Sequence, residues 1–361
     1  MTRTRRQAQG FTLLELIVAL TLGVLLLAPV IGLSLTQSQV YKATNSQASI
    51  QNAENAISAL LVPTVRGAGF SGCGALASAV SNLIPGGPLP LGALNTSTAM
   101  VAGFDHVNTA GAGSSWVIQA DNLPNEPNAS RWSPALETTL AGQVQPGSDV
   151  LVVLGAAPGS KPVAATSIPA GSDSIAAADI TSFAVGQVVA ISDCLKSSIF
   201  SVTDIVSNTL VHAAGSAPMS NATAALSLNF SSGAQLVPLQ QTAFFVAHGM
   251  AGQSVLMRAT WTGAAWNVEP LVPGIDTMQV LYGVATVPDG VISRYLPASA
   301  VTDWTLVYGV HLAFLIQGQV GSAQGGAMAA PVLLGTIVTP PADTRLRRVY
   351  ELTIHLRNSG A

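Results

Sequence analysis

Charge is what this sequence has least of: 9% of its 361 residues are Asp, Glu, Lys or Arg, against roughly a quarter in an ordinary soluble domain. The formal net charge is −3, and no basic face is available to neutralise a row of phosphates, which argues against nucleic-acid binding. Aromatic residues are also scarce, at 5%. Trp116, Trp132, Trp261, Trp266 and Trp304 are therefore expected in the core or in strand pairs rather than on an adhesive surface. Only two cysteines occur, Cys73 and Cys194, and the histidines stand singly at 106, 212, 248, 311 and 355. No spacing suits a metal, so no metal site is expected. The motifs GxSxG, HExxH and the P-loop are absent, and with so few ionisable groups an enzyme is the class least expected. Gly67-Ala68-Gly69-Phe70-Ser71-Gly72 fits GxGxxG by letter, but a dinucleotide fingerprint needs a strand before it, a helix after it and an acid about 20 residues on. Here a helix precedes it and the next acid is Asp105, so the glycines read as a turn and no cofactor is expected.

What the chain does have is one long apolar run near its start. From Phe11 to Leu35 only Thr12, Glu15, Thr21 and Ser34 are polar, and about 20 such residues suffice to cross a bilayer. Arg3, Arg5 and Arg6 precede the run with no acid among them. The positive-inside bias then keeps the extreme N-terminus cytoplasmic and sends the C-terminal bulk across. Glu15 is the single charge between Arg6 and Lys42. An acid within a span costs roughly 2.5–3.5 kcal/mol on insertion scales, less near a helix end, and it marks function unless something else offsets it. Pro29, Gly23 and Gly32 also lie in the run and are tolerated in spans whose neighbours satisfy the freed backbone groups.

A secretory signal carries its small-residue cleavage site after the apolar core. In this chain the plausible cut follows Gly10, ahead of that core, so the hydrophobic helix stays on the mature protein. The run Gly10-Phe11-Thr12-Leu13-Leu14-Glu15 resembles the site cut by prepilin peptidases in the type IV pilin family. The resemblance implies cleavage between Gly10 and Phe11, N-methylation of Phe11, and a register role in which Glu15 meets the N-terminal ammonium of a neighbouring subunit. Loss of the leader's three arginines makes the net charge three units more negative than −3.

Helix-compatible residues continue past Leu35 without Gly or Pro as far as Leu61, and Ile50, Ala53, Ile57, Leu60 and Leu61 recur on one face, which should dock on a globular domain. Pro63 is expected to end the helix. Residues 64–135 read as long loops with short strands. Clearer strands follow at residues 149–154, 187–191 and 199–206. A hairpin is expected from 243–246 and 255–258 about the Gly249–Gly252 turn. In the last segment Tyr350, Leu352, Ile354 and Leu356 alternate with Glu351, Thr353, His355 and Arg357, as in a half-buried strand. The fold class is thus α+β: a long N-terminal helix packed on a large, β-rich, antiparallel domain. The expected divisions are a leader at 1–10, a transmembrane and filament-core helix at 11–35, a helical extension at 36–62 and an exported domain at 63–361. Cys73 and Cys194 both fall in the exported part, where oxidising conditions favour a disulfide, two buried free thiols being the alternative.

Within the pilins the chain resembles the PilW-like minor pilins. The segments that carry this are Arg66-Gly67-Ala68-Gly69-Phe70-Ser71-Gly72-Cys73, Gly147-Ser148-Asp149-Val150-Leu151, Ile191-Ser192-Asp193-Cys194, the run from Val272 to Gly283, and Arg345-Leu346-Arg347-Arg348-Val349-Tyr350. The resemblance implies a non-enzymatic subunit that joins other minor and major pilins to prime type IV pilus assembly and that sits at or near the tip, with twitching motility and adhesion as the downstream readouts. Its implied partners are those pilins, the prepilin peptidase and the assembly platform in the inner membrane. Its implied place is a single pass through the bacterial inner membrane with the C-terminal domain in the periplasm, then the pilus and cell surface. The readings that compete with it are a minor pseudopilin of a type II secretion system and a tip adhesin whose residues 75–145 hold a ligand.

Overall fold

The computed structural model describes the chain apart from residues 1–10, 71, 73–78, 85–99, 119–124, 126, 170, 216–219, 250–252, 263–264, 289, 324–327 and 358–361. A single helix, α1, runs 54 residues from Leu13 to Arg66. It passes straight through Pro29 and Pro63, so the expected stop at Pro63 is corrected by four residues. A helical proline forfeits one backbone hydrogen bond, but here the buried stripe continues past it, with Leu61 and Val65 fully buried. Packing on the domain outweighs the local cost. The helix closes at Gly67, whose N–H donates to Pro63 O at 3.0 Å.

The rest is β-rich and mostly antiparallel. Among the described residues the strands form a branched 13-stranded sheet, a four-stranded sheet and a three-stranded sheet. The spine of the largest is the 14-residue strand Gln235–His248. Its first half pairs with Val188–Ser192, while its second half pairs with Val150–Ala156 on one side and Ser254–Trp261 on the other. The expected hairpin is present, longer than its apolar cores suggest. The segment read as one strand over 199–206 is two, Lys196–Ser201 and Asp204–Val206. The chain changes partner there, pairing first with Val188–Ser192 and then with Thr209–Val211 through a turn that holds Ser207 at φ 53°.

The four-stranded sheet, ordered Arg294–Leu296, Ile275–Val284, Val307–Gln317, Arg347–His355, supports the helix. The alternation expected in its last strand is present: Ile354 and Leu356 are buried, while Glu351, Thr353, His355 and Arg357 are exposed. One cluster joins Ile50, Ile57 and Leu61 of α1 to Phe314, Leu312 and Ile354 of this sheet and Val153 of the large one. The main core is therefore the interface between helix and domain. All five tryptophans are at least partly buried, and Trp261 and Trp266 meet as a cross-strand pair with ring centroids 5.3 Å apart.

Candidate functional site

The helix has two zones, and the boundary between them defines the site. From Phe11 to Tyr41 the large apolar side chains are exposed all round: Phe11 is 90% exposed, and Leu25, Leu35 and Tyr41 are all open. From Ser46 onward one face is buried in steps of three or four: Ser46, Ile50, Ala53, Ile57, Leu61 and Val65. That stripe contains the face expected from the sequence, with Leu60 half-buried beside it. Polar ties flank the seam. Ser58 and Tyr350 share a hydrogen bond through their hydroxyls, and Arg348 Nε lies 3.3 Å from Glu54 Oε1. One side of the helix is thus anchored in the domain, while the apolar half has no cover among the described residues. Apolar surface of that size is stable only in a membrane or against other helices.

At the free end the helix is closed by a reciprocal cap. Thr12 is the N-cap, extended at φ −75°, ψ 151°. Its side-chain oxygen accepts the Glu15 N–H at 3.3 Å, and Glu15 Oε2 accepts the Thr12 N–H at 2.9 Å and the Thr12 hydroxyl at 3.1 Å. This is a capping box, which satisfies two of the amides that a helix start leaves open. Its signal, Thr-x-x-Glu ahead of an apolar run, stands in the sequence, and it gives Glu15 a local role beside its membrane cost and its expected register role. The box folds the carboxylate back onto Thr12, the residue that follows Phe11. Gly10, the other half of the expected junction, lies outside the described residues.

At the far end the glycine-rich segment is the expected turn. Gly69 adopts φ +73°, and a Cβ there would fall 1.6 Å from Met100 Sδ, so only glycine fits. Its N–H donates to Leu154 O at 2.9 Å, and Ala68 bridges Gly155, tying the helix end to the large sheet. Cys73 lies outside the described residues. Cys194 sits in the turn between Val188–Ser192 and Lys196–Ser201 at φ 72°, with its N–H on Ser192 Oγ at 3.2 Å.

Two buried polar clusters hold the domain; Asp149, Asp276 and Arg347 lie in segments that carry the family resemblance, but the sequence assigned them no role. Asp149 is 3% exposed and accepts from the backbone of His106 and Val280 at 3.1 and 3.0 Å. Burial, added to by the charge of Asp105, pushes its carboxyl well above the usual range despite those donors. Asp105 is also pushed up by burial, against two amide donors from Ala298 and Ser299. In the second cluster the Arg347 guanidinium bridges Asp276, at 2.6 Å, and Asp343, at 2.5 and 2.8 Å. Burial outweighs the pull of Arg347 and raises Asp276 to about 6. Such clusters fix strands and loops in place. Among the described residues the void beside Asp105 and Asp149 is about 10 Å³, too small for a substrate. Among the described residues no group of three His, Cys, Asp or Glu could hold a metal ion.

Comparison with known proteins agrees with this geometry at both ends of the chain. Residues 243–358 match the family model "Type IV Pilus-assembly protein W", and residues 5–31 match the "Prokaryotic N-terminal methylation motif". No curated protein matches the chain. Among solved structures, the type IV-like pilin TTHA1219 from Thermus thermophilus is similar at 14% identity over 49% of this chain and 86% of that one, with a TM-score of 0.25, too low to carry any argument. The two family matches cover the capped, exposed start of α1 and the sheet on which its buried half rests.

Proposed function

We propose that this chain, similar to PilW-like type IV minor pilins at its N-terminal motif and in its C-terminal sheet, is a non-enzymatic subunit that primes assembly of a type IV pilus. The observation that carries this reading is the division of one continuous helix. The half from Phe11 to Tyr41 is apolar and uncovered, with one acid folded back at its tip, while the half from Ser46 to Arg66 is built into the domain. A rigid helix half in and half out of its own domain can be drawn from a membrane into a bundle of like helices without unfolding the domain.

In the proposed sequence a prepilin peptidase cuts between Gly10 and Phe11, Phe11 is N-methylated, and the domain waits on the periplasmic side of the inner membrane. During assembly Glu15 exchanges its bond to Thr12 for the ammonium of a neighbouring chain, a charge pair that is strong in a low-dielectric bundle. Other minor and major pilins pack on the domain, and the subunit stays near the tip at the cell surface. Pairing of Cys73 with Cys194 belongs to the same proposal, supported by the absence of a free thiol at Cys194. The test is co-expression with a prepilin peptidase and mass spectrometry of the mature N-terminus. A start at Phe11, lost in Gly10→Ala, is expected, together with reduced surface piliation and twitching in a clean deletion. An uncut chain, or normal piliation without it, would sink the proposal.

A further inference from the structure

Lys42 is the only charged residue between Glu15 and Glu54, and among the described residues its ammonium makes no hydrogen bond or ion pair. It stands where the helix enters the domain. Gln319 Nε2 donates to Lys42 O at 3.2 Å, the Gln319 N–H donates to Ser46 Oγ at 3.1 Å, and a Cβ on Gly318 would strike Ser46 Cβ at 2.7 Å. The loop that begins at Gly318 is therefore a collar closed on α1 at this level. Between it and the helix is a cleft of about 120 Å³, lined by Thr36, Gln39, Val40, Ala43 and residues Gly321 to Ala323. Lys42 Nζ reaches its rim, 3.4 Å from where a Gly321 Cβ would lie.

The position of this cleft along the helix is set by length. At 1.5 Å per residue the path from Leu13 to Lys42 is about 43 Å, which equals the roughly 40–45 Å of a bilayer with its headgroups. Tyr41, 73% exposed, then falls in the zone where amphipathic aromatic rings settle. Asp343, next to the Thr344 that accepts the Gly321 N–H, is taken up by Arg347 and Arg345. A further cation faces the collar, with Arg345 Nη1 donating to Gly318 O at 3.2 Å.

We propose that this cleft seats the phosphate-bearing headgroup of an anionic phospholipid while the subunit is parked in the membrane, with Lys42 as the counter-charge and Tyr41 as the interfacial ring beside it. The inference rests on the reading that α1 spans a membrane. It gives the lone cation a partner, and it sets the height and tilt of the domain over the bilayer, since the collar joins headgroup level to the four-stranded sheet through Gly318, whose N–H donates to Leu346 O. A neighbouring subunit's carboxylate is the competing partner for Lys42.

The full chain would be reconstituted into vesicles of phosphatidylcholine alone and of phosphatidylcholine with phosphatidylglycerol, and amide exchange followed at Gln319 and Gly321. Anionic vesicles are expected to slow exchange there by about fivefold, the weight of one basic residue at an anionic surface. Lys42→Gln should abolish the difference and Lys42→Arg should keep it. Stable insertion against alkaline extraction, with equal exchange in both lipids, would overturn the headgroup site alone. Extraction of the chain by alkali would overturn the membrane reading and the site with it. Equal protection by added inorganic phosphate in phosphatidylcholine vesicles, or protection that rises with protein density in that lipid, would assign Lys42 to another partner and overturn the proposal.

Discussion

Thr12 and Glu15 show how one residue can serve two states. In the isolated chain Glu15 is held by Thr12, which gives the exposed carboxylate a partner and completes the helix start. Replacing Thr12 by alanine removes one cap, worth about 1 kcal/mol. In detergent micelles the amide of Glu15 should then exchange about fivefold faster, while filament incorporation persists. Glu15→Ala loses the cap and, with it, the proposed partner for a neighbour's ammonium, so incorporation should fail. If Thr12→Ala abolished incorporation as fully as Glu15→Ala, the carboxylate would be acting only as a cap. At this scale the sequence was legible wherever a residue was odd against its background, as Glu15 is. Asp149 and Arg347 were not legible, because their importance lies in burial and in partners some 130 and 71 positions away, Val280 and Asp276.

At the scale of elements, the two zones of α1 carry different energies. Truncating Ile57, fully buried between helix and sheet, should cost 2–5 kcal/mol, the range for large-to-small core changes. Leu25 is 69% exposed and touches only solvent or detergent in the isolated chain. Leu25→Ala should therefore leave the urea midpoint of the domain within about 0.5 kcal/mol of the wild type. Comparable losses from both would mean that the exposed half folds back on the domain. The buried face was readable because Ile50, Ala53 and Ile57 keep helical spacing through a polar sequence. The stop at Pro63 was misread because a local preference was weighed without the packing of Val65. The length of the Gln235–His248 strand was missed for a related reason. Pro238, Gln240 and Gln241 interrupt its apolar pattern, and a proline argues against a central strand, yet Pro238 lies opposite Val189 inside the sheet. Where pairing partners on both sides supply the stability, periodicity within the segment no longer has to.

For the whole molecule, scarcity of charge places the few buried ionisable groups in command of the response to pH. Asp105, Asp149 and Asp276 are all raised by burial, Asp276 to about 6. A carboxyl raised on folding binds its proton more tightly in the folded than in the unfolded chain. Stability is therefore greatest near the unfolded pKa of about 4 and falls as pH rises through the folded value. From Asp276 alone the loss is on the order of 3 kcal/mol, at 1.36 kcal/mol per unit. Two effects oppose it. His212 is lowered by burial, so its contribution grows as pH rises. Asp343, held down by Arg347, and Asp193, held down by the amides of Leu195 and Lys196, contribute stability that is lost as pH falls through their lowered values. These two carboxylates are more open to water and correspondingly weaker. The three buried acids should dominate, giving a higher urea midpoint at about pH 5 than at about pH 7.5. Asp149→Asn, which keeps the shape but cannot ionise, should flatten that slope by removing its own titration, raised by burial and by the charge of Asp105. A midpoint that climbs steadily from the lower pH to the higher would show instead that Asp276 and Arg347 stay ionised together, and that the pair outweighs the burial of its parts.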